Sequence, residues 1–433
     1  MAVSLFQSAI YEAQFGDAEL SAIFSDRAEA AQMVRFERAL AQVEGELGVI
    51  PKASGQAIYD GLSDVEVDLG ALSKGVTSSG VAVPALVSEL RSHLDPEHGQ
   101  YLHWGATSQD VVDTAMVLSC AQALDVLELR LRAVIDALAA KATEYQDLVV
   151  AGRTRGQIAT PITLGLRIAK WAQPLIEIEK SIPDIRTRIL RVQFGGASGG
   201  NTATAPHGAA IGVGLAKELG LAPAQPWHVD RSGFVHLASW LLQISVALSK
   251  YAGDLILHMR SEIREVSAGA GGGSSTMPQK SNPVGPETIR TLASLAKAAH
   301  AGIANAADPA EDRDGGQWPI EWALLPQIVI ATGASLSHAL VLAETLKANE
   351  AEIQAVLATN DGVMAEQVSF MLAQHMPRPE AQALVKDAAK TGKPLREALP
   401  ELCAQDLDWD DLFDLQKSVA PCREIAEAIF AAR

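Results

Sequence analysis

Runs of basic residues, paired cysteines and alternating Val/Ile/Thr stretches are scarce in this 433-residue chain. Its 35 Lys and Arg face 52 Asp and Glu, a formal charge of -17, and no basic block stands out. That balance disfavours nucleic acid as a partner, but not an anionic small molecule, which a few well-placed cations can hold. The 3 cysteines, Cys120, Cys403 and Cys422, are odd in number and show no C-x-x-C spacing. Neither a disulfide framework nor a zinc centre is expected, and a reducing cytoplasm fits best. The 10 histidines include no H-x-x-x-H or H-E-x-x-H pattern, so no metal is expected. The amino terminus has no basic segment and carries Glu12 and Asp17 early, unlike a secretory leader. The most apolar run, 323–346, is interrupted by Pro326, two serines and His338, and reads as a core helix rather than a membrane span. No repeat of 20–50 residues indicates a solenoid.

Two glycine-rich segments fail the nucleotide-binding patterns. In "GAGGGS" a serine occupies position 274 and no strand precedes the run. Lys280 and Ser281 follow Gln279, where a phosphate loop needs glycine. "FGGASGGNTA", 194–203, reads as a flexible helix-ending loop. No cofactor is expected.

What the chain has in abundance is apolar residues at helical spacing. Five long helices are expected, at 108–146, 161–192 with Pro174 as a kink, 232–266, from Pro283 onward, and 321–346. Helices that long need one another's apolar faces. The fold expected is all-α: shorter helices over 1–105, a central five-helix bundle over 106–347, and a small helical domain over 348–433. The bundle helices are apolar on more than one face, which predicts packing against further subunits.

Three polar stretches interrupt these runs. "AGAGGGSSTMPQKSNPVGPE", 268–287, joins a glycine-rich half to a half stiffened by Pro278, Pro283 and Pro286, as a hinged flap would. An ordinary exposed loop needs neither Met277 nor so much proline. "HWGATSQD", 103–110, leads into the first long helix, where Thr107, Ser108 and Gln109 either cap the helix or bind an anion; Asp110 reads as a cap. "GRTRGQIATPITLG", 152–165, offers Arg153, Thr154 and Arg155 either as carboxylate ligands or as a solvated turn. Lys280 and Asn282 sit just before a helix start, where an anion is favoured.

Taken together these blocks carry a resemblance. "GSSTMPQKSNP" resembles the signature loop of the fumarase/aspartase superfamily, and "HWGATSQDVVDTA" and "GRTRGQIATPITLG" are similar to its other two blocks, in the same order. The resemblance spans essentially the whole chain. It implies a three-domain helical subunit, a homotetramer with a twenty-helix core, no cofactor, and active sites to which three subunits each give one block. It also implies that Ser274 is the catalytic base on a loop, 268–283, that closes over a small polycarboxylate. Ser275, Met277, Lys280, Asn282, His103, Thr107, Ser108, Gln109, Thr154 and Arg155 become expected substrate contacts. The adjoining stretches "PWHVDRS" and "DRDGGQWPIEWALLPQ" add His228, Arg231, Arg313 and Trp318 as weaker ones.

Relatives that release amines have histidines where this chain has Arg155 and Ser79; of the family's acids only His103 is matched. A carboxylate leaving group, with a pKa of about 4, needs no proton donor. The pattern is similar to the superfamily's lactone-forming branch, which adds a carboxylate across a double bond of a 3-substituted muconate. Arg155 suggests a stronger anion at the 3-position, such as a sulfonate. The alternative is a lyase that releases fumarate.

Overall fold

A computed structural model of the chain describes residues 4–273 and 276–433, and helices dominate it. Four of the expected long helices are present, at Ser108–Glu144, Ser232–Met259, Val284–Asn305 and Trp318–Glu344. Ser232–Met259 and Trp318–Glu344 are long and apolar enough to cross a membrane by length and composition. However, 50% and 61% of their most apolar windows are buried inside the fold, as in core helices.

The structure differs at 161–192. Val149–Thr154 and Gln157–Thr163 form an antiparallel hairpin, so the helix begins only at Leu164 and ends at Lys180. A separate helix follows at Ile182–Ile189, with Pro183 in its first turn, where proline is tolerated. Pro161 lies in a strand opposite Ala151; a two-stranded ribbon has free edges that can accommodate a residue without an N–H. Arg155 and Gly156 have φ of 52° and 77°, the two left-handed residues of a tight hairpin turn. The strand escaped notice because Val149, Val150 and Ala151 are all buried, so no polar residue alternates with an apolar one. The third expected helix also stops early, at Met259, and Val266–Ser267 pairs instead with Lys347–Ala348.

The chain divides into two compact units: residues up to Arg130 with Ser181–Val246 and Thr291–Leu336, and Leu131–Lys180 with Ala247–Arg290 and Ser337–Arg433. Four of the five cuts fall within long helices, and the fifth at the end of Leu164–Lys180. In the first unit, the core gathers Phe36, Leu40, Ile58, Leu86, Leu90 and Leu102 with Val111 and Leu118 of the first long helix. The helices Asp26–Glu46 and Lys52–Gly61 pack closely there. In the second unit, the carboxy-terminal helix Leu415–Ala431 packs along Leu164–Lys180 and against the hairpin. The glycine-rich segment belongs to this unit. Its glycine half is tied down, because Gly272 and Gly273 pair with Asn282 and Ser281. Gly271 has φ 67°, and a Cβ there would meet the Ser281 hydroxyl oxygen at 2.1 Å, so the close approach requires glycine.

The helix pair of the first unit depends on a similar approach. A Cβ at Gly55 would stand 2.5 Å from the Ala41 carbonyl oxygen and 3.0 Å from the Gly45 Cα. Gly55→Ala is expected to force the helices apart, costing about 1–3 kcal/mol. A thermal midpoint equal to that of the unaltered chain would contradict this packing.

Candidate active site

The first cluster of polar groups surrounds the start of the 37-residue helix Ser108–Glu144. Asp110, fully buried, accepts a hydrogen bond from the Thr107 N–H at 3.0 Å, as a capping carboxylate does. Capping is only part of its role. The same carboxylate accepts from the Gly195 and Gly196 N–H groups at 2.9 and 3.0 Å and lies 2.8 Å from His228 Nε2. The segment "FGGASGG" is therefore not the loose helix end that its glycines suggested. A Cβ on Gly195 would meet His228 Cε1 at 2.8 Å, so glycine lets the backbone reach the buried carboxylate.

A turn further along, Asp113 and Glu321 hold Arg231. Its Nε and both terminal nitrogens contact Glu321, Asp113 and the His228 carbonyl, using all five N–H groups. The Trp318 indole N–H donates to Asp113 at 2.9 Å. Gln109 donates to Asp113 and to the His228 carbonyl, and accepts from Arg313 Nε at 3.0 Å. Arg313 also donates to the Ala197 carbonyl. Arg231, Trp318 and Gln109, expected as substrate contacts, thus give their donors to the framework, and Arg231 is 4% exposed. His228 likewise supports Asp110 and is buried.

His103, Thr107 and Ser108 have polar atoms to spare. All three are half-buried, and the two hydroxyls hydrogen-bond to nothing among the described residues. His103 has φ 63°, and its Nδ1 is 2.6 Å from Glu37 Oε1. Burial disfavours the charged imidazole, but Glu37, aided by Asp110, outweighs it and raises the pKa above the usual histidine value. Glu44, about two turns beyond Glu37 on the helix Asp26–Glu46, has no exposed surface. Burial and the nearby Glu37 push its carboxyl up to about 9.

The second cluster lies in the other unit. Arg153 pairs with the buried Glu265, which also takes Arg167 at 3.4 Å and His258 Nδ1 at 2.9 Å. Of the two guanidiniums expected to act together, Arg153 is therefore structural. Arg155, with Thr154, is exposed at the hairpin tip and contacts no acid among the described residues. Met277 and Lys280 are exposed, and Asn282 is half-buried at the foot of the glycine-rich ladder. Ser274 and Ser275 lie outside the described residues. Beside the hairpin is a cavity of ≈ 490 Å³ lined by Arg153, Arg167, Lys170, Lys250 and Arg260. No sequence pattern announced it, because its cations come from segments about ninety residues apart.

A family model described as Lyase matches residues 12–296. The 3-carboxy-cis,cis-muconate cycloisomerase of Pseudomonas aeruginosa is 35% identical over 92% of this chain and 88% of its own length. The crystal structure of 3-carboxy-cis,cis-muconate lactonizing enzyme from Pseudomonas putida superposes with a TM-score of 0.92 at 32% identity, covering 98% of this chain and 99% of that one. An N-acetyl-S-(2-succino)cysteine lyase of Enterococcus italicus is 31% identical over 87% of this chain and 84% of its own length.

The raised Glu44 carboxyl gives the fold a pH dependence. Between about pH 4.5 and about 9 the folded chain keeps a proton that the unfolded chain has released, so this group's contribution to stability falls as pH rises through that window. Glu44→Gln is expected to flatten the dependence and raise the thermal midpoint at pH 8 by several degrees. A midpoint at pH 8 that drops as much as it does at pH 5 would contradict the buried neutral acid.

Proposed function

The chain belongs to the lyase family whose model it matches, and from that premise we propose that it is a cofactor-independent cycloisomerase closing the lactone of 3-carboxy-cis,cis-muconate or a 3-sulfo analogue. The observation that carries this reading is the similarity to 3-carboxy-cis,cis-muconate cycloisomerases over most of the chain; the resemblance in the sequence adds a pair of positions where it implies an imidazole in amine-releasing relatives. One is Arg155, a permanent cation at the hairpin tip. The other is Ser79, whose hydroxyl donates to the Gly75 and Val81 carbonyls at the end of the helix Leu69–Ser79. A guanidinium, and a hydroxyl already engaged with backbone carbonyls, are poor general acids for a leaving group. The chemistry must do without that proton, and carboxylate addition does.

In the forward step a carboxylate oxygen of the substrate forms a C–O bond to an alkene carbon of the same molecule. The π electron pair moves to the neighbouring carbon, where the second carboxylate spreads it as an enediolate. The Ser274 hydroxyl then delivers one proton to that carbon, and the reverse step returns it. Lys280, Asn282 and the free N–H groups at the start of Ser108–Glu144 neutralise the developing charge. His103, Thr107 and Ser108 hold a carboxylate, and Arg155 holds the anion at the 3-position. A water-poor site strengthens each of these contacts.

A homotetramer in which three subunits each give one block to every site completes the proposal. Its support is the placement of exposed large apolar side chains, since Leu129, Val246, Leu295 and Val341 lie on four different long helices. Single exposed apolar residues are ordinary, but their presence on each of these four helices is what subunit packing needs. A reducing cytoplasm remains the proposed compartment.

Incubation with 3-carboxy-cis,cis-muconate is expected to bleach the diene's ultraviolet band and yield the lactone. Fumarate released from a succinyl adduct instead would turn the assignment to a β-eliminating lyase. Ser274→Ala is expected to lower kcat by about a thousandfold or more, in line with loss of the group that moves the proton; unchanged turnover would remove Ser274 from the mechanism. Arg155→Ala should cost more on the 3-sulfo than on the 3-carboxy substrate, by about tenfold in kcat/KM. Equal losses on both would discard the specificity role.

A further inference from the structure

We infer that Glu37 is a positioning residue for His103, fixing the ring through Nδ1 so that Nε2 is presented as a cationic donor to a substrate carboxylate. This rests on the reading above that His103 meets the substrate. The two residues are 66 positions apart in sequence and join through a 2.6 Å contact between Nδ1 and Glu37 Oε1. The Glu37 side chain is 0% exposed, whereas that of His103 is 19% exposed. One edge of the imidazole is therefore anchored in the interior while part of the ring remains accessible. Nε2 has no partner among the described residues.

The chemistry follows from the tautomer. A carboxylate against Nδ1 requires a proton there. With that proton committed, a neutral ring would show a lone pair at Nε2 and repel an incoming carboxylate. Only the doubly protonated ring can donate from Nε2 as well. The charged groups that bear on the ring favour this state on balance: Glu37 from Asp26–Glu46 and Asp110 from Ser108–Glu144 outweigh burial and Arg91 from Val83–Ser92. Glu37 Oε2 and both Glu44 oxygens are buried without a hydrogen-bond partner. Burial beside Glu37 keeps the proton on Glu44.

The backbone serves the same end. A φ of 63° is uncommon for a histidine and has to be held in place by its surroundings. The preceding Leu102 carbonyl is pinned by Arg91 Nη2 at 3.0 Å. The left-handed turn at His103 thus sits between two anchors, Arg91 on the backbone and Glu37 on the ring. Glu37 lies far up the chain from any polar motif, which is why the sequence offered no hint of it.

The test compares kcat and KM on 3-carboxy-cis,cis-muconate from pH 6 to 9 for the unaltered chain, Glu37→Gln, His103→Asn, the double variant and Glu44→Gln. It also follows the ring titration of His103 by NMR on histidine-labelled protein without substrate, with helicity and assembly checked for each variant. Glu37→Gln is expected to raise KM about tenfold or more while kcat changes less, and to bring the alkaline fall of kcat/KM to lower pH. The double variant should be no worse than His103→Asn, Glu44→Gln should match the unaltered chain at pH 7, and the ring's titration midpoint should drop in Glu37→Gln. The inference is overturned by an unmoved midpoint, by losses that multiply in the double variant, or by a Glu44→Gln loss as large as that of Glu37→Gln. A normal Glu37→Gln beside a crippled His103→Asn would overturn this inference alone. An unaltered KM in His103→Asn would remove His103 from the substrate site and the inference with it.

Discussion

The first unit is organised around one buried carboxylate. Asp110 stands at the start of the longest helix in the chain, where the unpaired N–H groups and the helix dipole both favour negative charge. It uses that position to hold the Thr107 N–H, the Gly195 and Gly196 N–H groups, and His228 at once. A charge fully removed from water is expensive unless each lone pair finds a donor. The glycines of 194–203 and the fixed placement of His228 follow from meeting that demand. The loop carrying His103, Thr107 and Ser108 is thereby attached to a rigid base.

The second layer repeats the device with opposite charge. Arg231, wholly enclosed, is balanced by Asp113 and Glu321, and Trp318 and Gln109 supply the remaining donors to Asp113. Breaking such a group by removing one partner typically costs about 3–5 kcal/mol, because it strands a buried charge. The consequence for function is a division of labour. Side chains that look like ligands by type are consumed as framework, and a smaller set remains for a substrate: the His103 outer nitrogen, two hydroxyls at a helix terminus, and exposed cations on two turns. Glu265 plays the corresponding part in the second unit, where it occupies Arg153, while Arg155 meets no acid among the described residues.

A net charge of -17 does not conflict with an anionic substrate, because the field at a site is set within a Debye length of about 8–10 Å. In the proposed site Lys280 and Arg155 are the cations that would supply that local field. Arg155 is also the point at which this chain departs from amine-releasing relatives. A guanidinium cannot shuttle protons near neutral pH, which agrees with the proposed chemistry, whose leaving group needs none.

Helical periodicity alone made the all-α class and four of the long helices legible, since burial of a helical stripe leaves a 3.6-residue trace in the sequence. The three polar blocks were legible for a similar reason: turns need glycine, proline and small polar residues at fixed offsets. The hairpin at 149–163 was not, because its first strand is buried on both faces and loses the alternation that would reveal it. Nor could the sequence sort Arg153 from Arg155, or Gln109 from Ser108, because residue type says what a side chain can bond and not which partner reaches it first. The link between Glu37 and His103 is of the same kind. Local pattern determined the helices and where the chemistry-bearing residues lie along them; tertiary packing alone decided which of those residues are spent on buried partners, because pairing across dozens of residues leaves no periodic mark.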